Sequence, residues 1–294
     1  MTRAGFIALL GEPNAGKSTL FNRLIQTPLA AITPKPQTTR FCIPGILQRG
    51  DSQYVFVDTP GWISQPRNEW HRLLTKQSLE AGRNADICIW VCPPSPSPPP
   101  PEIDHMLRSR KVPLFLVCTH LDSFPPDKRN LQLTLLMNQL RSYPIQQAFD
   151  LSVDQPLDLF LDTLSPLLPE SPFLYPPEDI TPLPIRFFVS EILRRQIYQH
   201  LREELPYSTE VEITTYREEE GRDYIAATVY VEKESQKPIL IGEKGRMIKK
   251  IGTKAREEIE KMIDKPVFLD LRVKVSRNWR NSAMTLQSLG YRSS

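Results

Sequence analysis

The sequence contains no apolar run near the ~20 residues that a bilayer-spanning helix requires, so no membrane span is expected. Cysteine is scarce: Cys42, Cys88, Cys92 and Cys118 all lie in the first half, inside apolar runs without metal-ligand spacing. That excludes a disulfide scaffold and a zinc module, and reads as reduced, buried thiols. Met1–Leu10 is a short apolar run that passes straight into Gly11, with neither a charged leader nor a cleavage site. Export is therefore not expected, and a cytoplasmic location is. No internal repeat is visible, and the net charge of +3 says little alone. With 40% hydrophobic and 24% charged residues the composition is near globular averages, which excludes wholesale disorder. At ~100–200 residues per domain, the 294 residues predict two domains.

Charge and proline, by contrast, are unevenly placed. Lys233–Arg256 holds eight basic residues against two acidic, and residues 265–294 hold six against one. This pattern suits a polyanion partner for the C-terminal half, although a solvated surface would produce it too. Seven of the nine residues Pro93–Pro101 are proline, as are seven of the nineteen in Pro166–Pro184. The first cluster lies between two strand-like runs and reads as a polyproline II surface loop inside a domain. The second separates halves of different texture. The expected division is a first domain at 1–170, a linker at 171–184, a second domain at 185–276 and a basic tail or helix at 277–294.

In the first half, Phe6–Leu10, Tyr54–Val57, Ile87–Cys92, Leu114–Cys118 and Ala148–Leu151 are short apolar runs bounded by turn residues. Alternating with helical patterns, they predict an α/β domain with a buried, mostly parallel sheet flanked by helices. The second half differs. Apolar positions 185, 188, 189, 192, 197, 201 and 205 have helical spacing. Alternating runs at Glu210–Thr215 and Tyr224–Val231 follow, then Ile239–Gly252, a helix through Ile263 and a strand-like Val267–Val275. The order predicts a smaller α+β domain.

Gly11-Glu12-Pro13-Asn14-Ala15-Gly16-Lys17-Ser18 matches the phosphate-loop pattern G-x-x-x-x-G-K-[ST], after a predicted strand and opening a predicted helix that continues through Thr19. Glycines let backbone N–H groups converge on phosphate oxygens at a helix N-terminus. Lys17 supplies a point charge, its head expected to be solvated without ligand, and the Ser18 hydroxyl is a hard ligand for Mg2+. Asp58-Thr59-Pro60-Gly61 follows the next strand. A carboxylate there can hold Mg2+ through water, and Gly61 can give its N–H to a terminal phosphate.

On these residues the chain resembles the translation-factor-class GTPases, and the Era family in particular, over nearly its whole length. The resemblance implies a P-loop GTPase domain, GTP and GDP as ligands, and Mg2+ held by Ser18, Thr39 and Asp58. Gln37-Thr38-Thr39-Arg40 looks like the family's first switch, with Thr39 sensing the metal. The family's base-recognition pattern is Asn-Lys-x-Asp; here it reads Thr119-His120-Leu121-Asp122. Asp122 can accept from the N1–H and amine of guanine. Thr119 replaces an amide that can bridge to the base N7 and the phosphate loop. His120 replaces a lysine whose stem covers the base. Ser152-Val153 occupies the place of the loop whose backbone meets guanine O6. Guanine preference is expected to survive with weaker affinity.

For hydrolysis, Lys17, Thr39 and Asn14 are the candidate catalytic residues, and no general base is visible. Trp62 stands where many GTPases carry a water-positioning glutamine, so a slow intrinsic rate is expected. In related GTPases an asparagine at the position of Asn14 accompanies a K+ ion beside the phosphates. Loop-closing polarity is the other reading of Asn14.

Gly242-Glu243-Lys244-Gly245 lies between an apolar run and a helix, within the helix–strand–strand–helix–helix–strand order of a type II KH domain. An apolar stripe at Ile248, Ile251, Ala255, Ile259 and Met262 is expected to face the core, with Arg246, Lys250 and Lys254 on another face and Lys249 nearby. In KH domains such a turn clamps the backbone of a single strand. The resemblance implies binding to the 3′ end of the small-subunit (16S) ribosomal RNA and assistance to 30S subunit assembly by a monomer. Peripheral contact with the inner face of the cell membrane is a further family trait. A different reading is an RNA-binding chaperone with weak or no GTPase turnover, favoured by the Thr119-His120 departure and Trp62.

Overall fold

The computed structural model describes residues 1–109, 111–151 and 156–291, and they form two compact units. The first comprises 1–30, 39–67 and 71–182. In chain order its elements are β1 (Arg3–Leu10), α1 (Lys17–Ile25), β2 (Ile43–Arg49), β3 (Ser52–Asp58), α2 (Glu69–Asn84), whose first residues fall in the second unit, β4 (Ile87–Cys92), α3 (Pro101–Ser109), β5 (Leu114–Cys118), α4 (Pro126–Gln139), β6 (Ile145–Asp150) and α5 (Asp158–Leu164). The sheet runs β2-β3-β1-β4-β5-β6, with β2 antiparallel and every other pair parallel. Every residue of β4 and β5 is buried, because helices cover both faces of a parallel sheet. Parallel strands share one carboxyl edge, and the turns that leave it collect there. Those turns begin after Leu10, Asp58, Cys92 and Cys118, which brings every sequence-predicted phosphate and base residue described here to one edge.

Strand β2 is absent from the sequence expectation, which Pro44 and Gly45 interrupt. Both residues have reasons. Proline is tolerated on an edge strand, and β2 is the edge. A Cβ on Gly45 would lie 2.7 Å from Phe21 Cζ and Ile25 Cγ1, so glycine lets α1 approach the sheet. The proline-rich segment read as a linker lies along this unit as far as Pro182. Ile46 N–H donates to Ile180 O at 2.8 Å, and the Thr181 hydroxyl to Pro44 O at 2.7 Å, so part of the open edge of β2 is paired. Gln53 accepts from the backbone of Leu174 and Tyr175 and donates back to Tyr175 O. In the other proline cluster, Pro101 is the first residue of α3, where a missing N–H costs nothing. The four cysteines form no disulfide, and burial pushes Cys42 and Cys118 up to about 12 and Cys92 well up, so none of these three is a thiolate at neutral pH.

The second unit comprises Leu183 to the last described residue, with segments 31–38 and 68–70. Its elements are α6 (Ile185–His200), β7 (Thr209–Arg217), β8 (Asp223–Val231), α7 (Gln236–Ile241), α8 (Arg246–Ile263), β9 (Val267–Val275) and α9 (Ala283–Ser288). The sheet runs β7-β8-β9, antiparallel then parallel. Val189, Leu193 and Ile197 of α6, Ile251, Ala255 and Ile259 of α8, and alternate residues Ile225 to Val231 of β8 form the core. Two expectations are corrected. Helix α6 ends at His200, and Leu201 and Leu205 reach the core from a loop, their helical spacing notwithstanding. Met262 is exposed and Ile248 is half-buried outside the core cluster, and the α8 stripe is completed by Met247 and Ile263. The C-terminal segment is anchored by the buried Trp279, whose Nε1 donates to Ser208 O at 3.1 Å, and by the Tyr291 hydroxyl on Glu210. No helix among the described residues is long and apolar enough to cross a membrane.

Candidate functional site

The phosphate loop joins β1 to α1. Asn14 has a left-handed backbone (φ 62°), and Gly16 caps α1 at φ 85°. The expectation that the Lys17 head is solvated is corrected. It is buried, and Nζ donates to Gly11 O at 3.1 Å and Glu12 O at 2.8 Å, lying across the loop it is to serve. Burial lowers its pKa from 10.5 to about 8, against opposing pulls from Asp58 and Glu12. Thr19 follows on α1, half-buried. Arg23, on the next turn, braces α1 against the end of β6 by donating to Leu151 O at 2.7 Å. That residue and Ser97, whose N–H donates to Glu12 Oε1 at 3.3 Å from the proline loop, carry no recognisable sequence signal.

The three predicted metal ligands come together. Ser18 Oγ donates to Asp58 Oδ2 at 2.7 Å, lies 2.9 Å from Thr39 Oγ1, and Thr39 Oγ1 is 3.3 Å from Asp58 Oδ2. Asp58 is fully buried at the end of β3. Two hydroxyls and a carboxylate form a hard-oxygen set that fits Mg2+. Among the described residues no group of three His, Cys, Asp or Glu side chains could hold a softer metal.

The Asp58-Thr59-Pro60-Gly61 turn is fitted to the phosphate loop. The Thr59 hydroxyl donates to Leu9 O at 2.7 Å, and Ser78 of α2 donates to Pro60 O. A Cβ on Gly61 would lie 2.5 Å from Pro13 N, so only glycine allows the two loops to touch. Trp62 is buried, edge-on to Trp90 at 6.0 Å. The side chain in the water-positioning place is thus turned into the core.

At the base end, the Thr119 hydroxyl donates to Ala15 O at 2.8 Å, with Cys92 O at 3.2 Å. His120 has a left-handed backbone (φ 57°), and its Nε2 lies 3.4 Å from Asn14 O. Leu121 is buried and pins the turn, which leaves Asp122 exposed. Ser152 and Val153 lie outside the described residues.

In the second unit, Gly242 and Gly245 take φ 74° and 78°, and Lys244 between them φ 50°. A Cβ on Gly242 would meet Met247 N at 2.8 Å, whereas one on Gly245 meets nothing within 4 Å. Glu243 and Lys244 are exposed on the turn. Arg246, Lys249, Lys250 and Lys254 line one shallow concavity of about 300 Å³, joined by Thr253. Four cations with a turn that admits close backbone approach suit a phosphate chain.

Comparison with known proteins agrees over the whole length. The model for a 50S ribosome-binding GTPase matches residues 6–120, and that for a KH domain matches 204–280. GTPase Era of Geobacter metallireducens is 36% identical over 295 residues, covering 98% of both chains. GTPase Era of Nitratidesulfovibrio vulgaris is 38% identical over 300 residues, covering 98% of this chain and 96% of that one. Among solved structures, Era in complex with MgGDPNP and nucleotides 1506–1542 of 16S ribosomal RNA superposes with a TM-score of 0.93 at 29% identity over the full length of both chains. A tyrosine-to-alanine variant of Aquifex aeolicus Era bound to GDP and AlF4− gives 0.91 at 28%, covering 99% of this chain and 100% of the other.

Proposed function

We propose that this chain, which belongs to the Era family of GTPases, is a slow GTP-hydrolysing switch that holds the 3′ end of the small-subunit ribosomal RNA on its KH unit and assists assembly of that subunit. The convergence of Ser18, Thr39 and Asp58 carries the reading, because hydroxyls from the phosphate loop and first switch meeting a carboxylate at a strand end is the arrangement that senses a metal-bound triphosphate in P-loop NTPases. A divalent cation held there neutralises charge on the phosphates. The remaining work falls to the chain itself. Backbone N–H groups of the loop and the α1 N-terminus take the phosphates. Lys17 exchanges two backbone carbonyls for phosphate oxygens. Asp122 accepts from the Watson–Crick edge of guanine. With Trp62 in the core, no side chain from that position orients the attacking water, which supports the slow intrinsic rate.

Turnover of radiolabelled GTP, with and without a single-stranded RNA matching the 3′ end of the small-subunit ribosomal RNA, tests this reading. Slow Mg2+-dependent turnover together with RNA binding is the expected result, and Asp58→Ala should lower turnover by tenfold or more. RNA binding without any turnover in either condition would favour the chaperone reading instead.

A further inference from the structure

We propose that Thr119 is a specificity-determining residue which removes the purine N7 from base recognition, leaving guanine to be selected on its Watson–Crick edge. The inference rests on the reading of Asp122 as the carboxylate that reads the base. It follows from a count of donors. Guanine presents N1–H and an amine on one edge, and the acceptors N7 and O6 on the other. An acceptor can be recognised only by an N–H or O–H. An asparagine at position 119 would bring two N–H donors, enough for the phosphate loop and N7 together. Threonine brings one O–H.

In this chain that single hydrogen is already committed. Thr119 Oγ1 lies 2.8 Å from Ala15 O and 3.2 Å from Cys92 O, and both carbonyls can only accept. The side chain cannot readily turn to offer the hydrogen elsewhere. It is buried, its Cγ2 lies 3.1 Å from where a Cβ on Gly16 would stand, and a β-branched side chain has few open χ1 rotamers. The neighbouring His120 has its Nε2 facing Asn14 O rather than a free direction. Thr119 has therefore kept the half of the amide's work that braces the phosphate loop and given up the half that touches the base. The same hydroxyl ties the base-recognition turn to Ala15, so its loss should weaken every nucleotide alike.

Equilibrium binding of GTP, 7-deaza-GTP and XTP to the full chain tests this without reference to turnover. The native chain should bind 7-deaza-GTP within threefold of GTP. Thr119→Asn should create a preference for GTP over 7-deaza-GTP of about two- to tenfold, the worth of one hydrogen bond. Thr119→Val should weaken both by the same factor. A native preference for GTP of threefold or more overturns the proposal, and this arm needs no variant, so poor folding of Thr119→Asn beside Gly16 would not blunt it. Asp122→Asn is the separate control: if it leaves the ratio of GTP to XTP affinity unchanged, the reading of Asp122 fails, whatever the 7-deaza-GTP result.

Discussion

Lys17 is held away from water by the loop it serves, and this has opposite consequences for binding and for folding. Its pKa in the ligand-free chain is about 8, set by burial. Below pH 8 the ammonium is already present when a triphosphate arrives, so affinity should be flat with pH. Above pH 8 the chain must take up a proton to bind, and affinity should fall by at most about tenfold per pH unit. The unfolded lysine keeps its proton up to about 10.5, so between pH 8 and 10.5 the unfolded state binds more protons than the folded one. Stability of the ligand-free chain should gain from this group as pH rises through that window. Thermal unfolding of Lys17→Met beside the native chain measures the contribution, which should vanish in the variant, while nucleotide titrations at pH 7 to 9.5 measure the affinity. Asn14 is a second residue whose two readings can be separated. Its left-handed backbone accounts for an asparagine by conformation alone. If the amide also helps hold K+, turnover should be faster in K+ than in Na+ at matched ionic strength, and Asn14→Gly, which keeps the backbone, should equalise the two. Equal rates in the native chain would leave loop geometry as its whole role.

Between elements, contacts rather than composition decide the site. Gly61 touches Pro13 with no room for a methyl group. Gly61→Ala should therefore push the Asp58 turn off the phosphate loop, costing about 1–3 kcal/mol of stability and more than tenfold in GTP affinity. Calorimetry and titration of the same preparation check both numbers, and normal affinity in a folded variant would show that the two loops act separately. What was legible in the sequence follows from the range of each cause. β4, β5 and β9 were readable to the residue because both their apolar content and their bounding turns are local. β2 was not, because Gly45 is explained by Phe21 and Ile25 on a helix, and Pro44 by a place at the sheet edge. The phosphate loop was legible as a motif, but the burial of Lys17 was not, since its partners are backbone carbonyls that leave no mark on residue type. At the α8 end, Met262 and Met247 look alike in sequence, and only the packing of α8 on the sheet sends one to solvent and the other to the core.

For the molecule as a whole, a net charge of +3 conceals an uneven distribution, with four basic side chains gathered on one face of α8. Arg246, Lys249, Lys250 and Lys254 share a concavity, and two ion pairs on that face, Lys254 with Glu257 at 2.8 Å and Arg246 with Glu243 at 4.0 Å, are exposed. Exposed pairs hold little free energy and yield readily to phosphate. Each phosphate neutralised on a single strand contributes about −0.7 to the slope of log affinity against log salt. Four cations should thus give RNA binding a slope of roughly −3, and the double variant Lys249→Ala/Lys250→Ala should reduce it to about −1.4 while lowering affinity most at low salt. Gly245→Asp should lower RNA affinity by another route. The position has open space for the side chain, so the cost lies in a negative charge at the turn and in strain at φ 78°, whereas Gly242→Asp would collide with Met247 and confuse folding with binding. In both variants GTP affinity should be unchanged, since the phosphate loop and Asp122 belong to the other compact unit. A double lysine variant that loses affinity with its salt slope intact would mean that these cations support the fold of α8, and that the phosphates are held elsewhere.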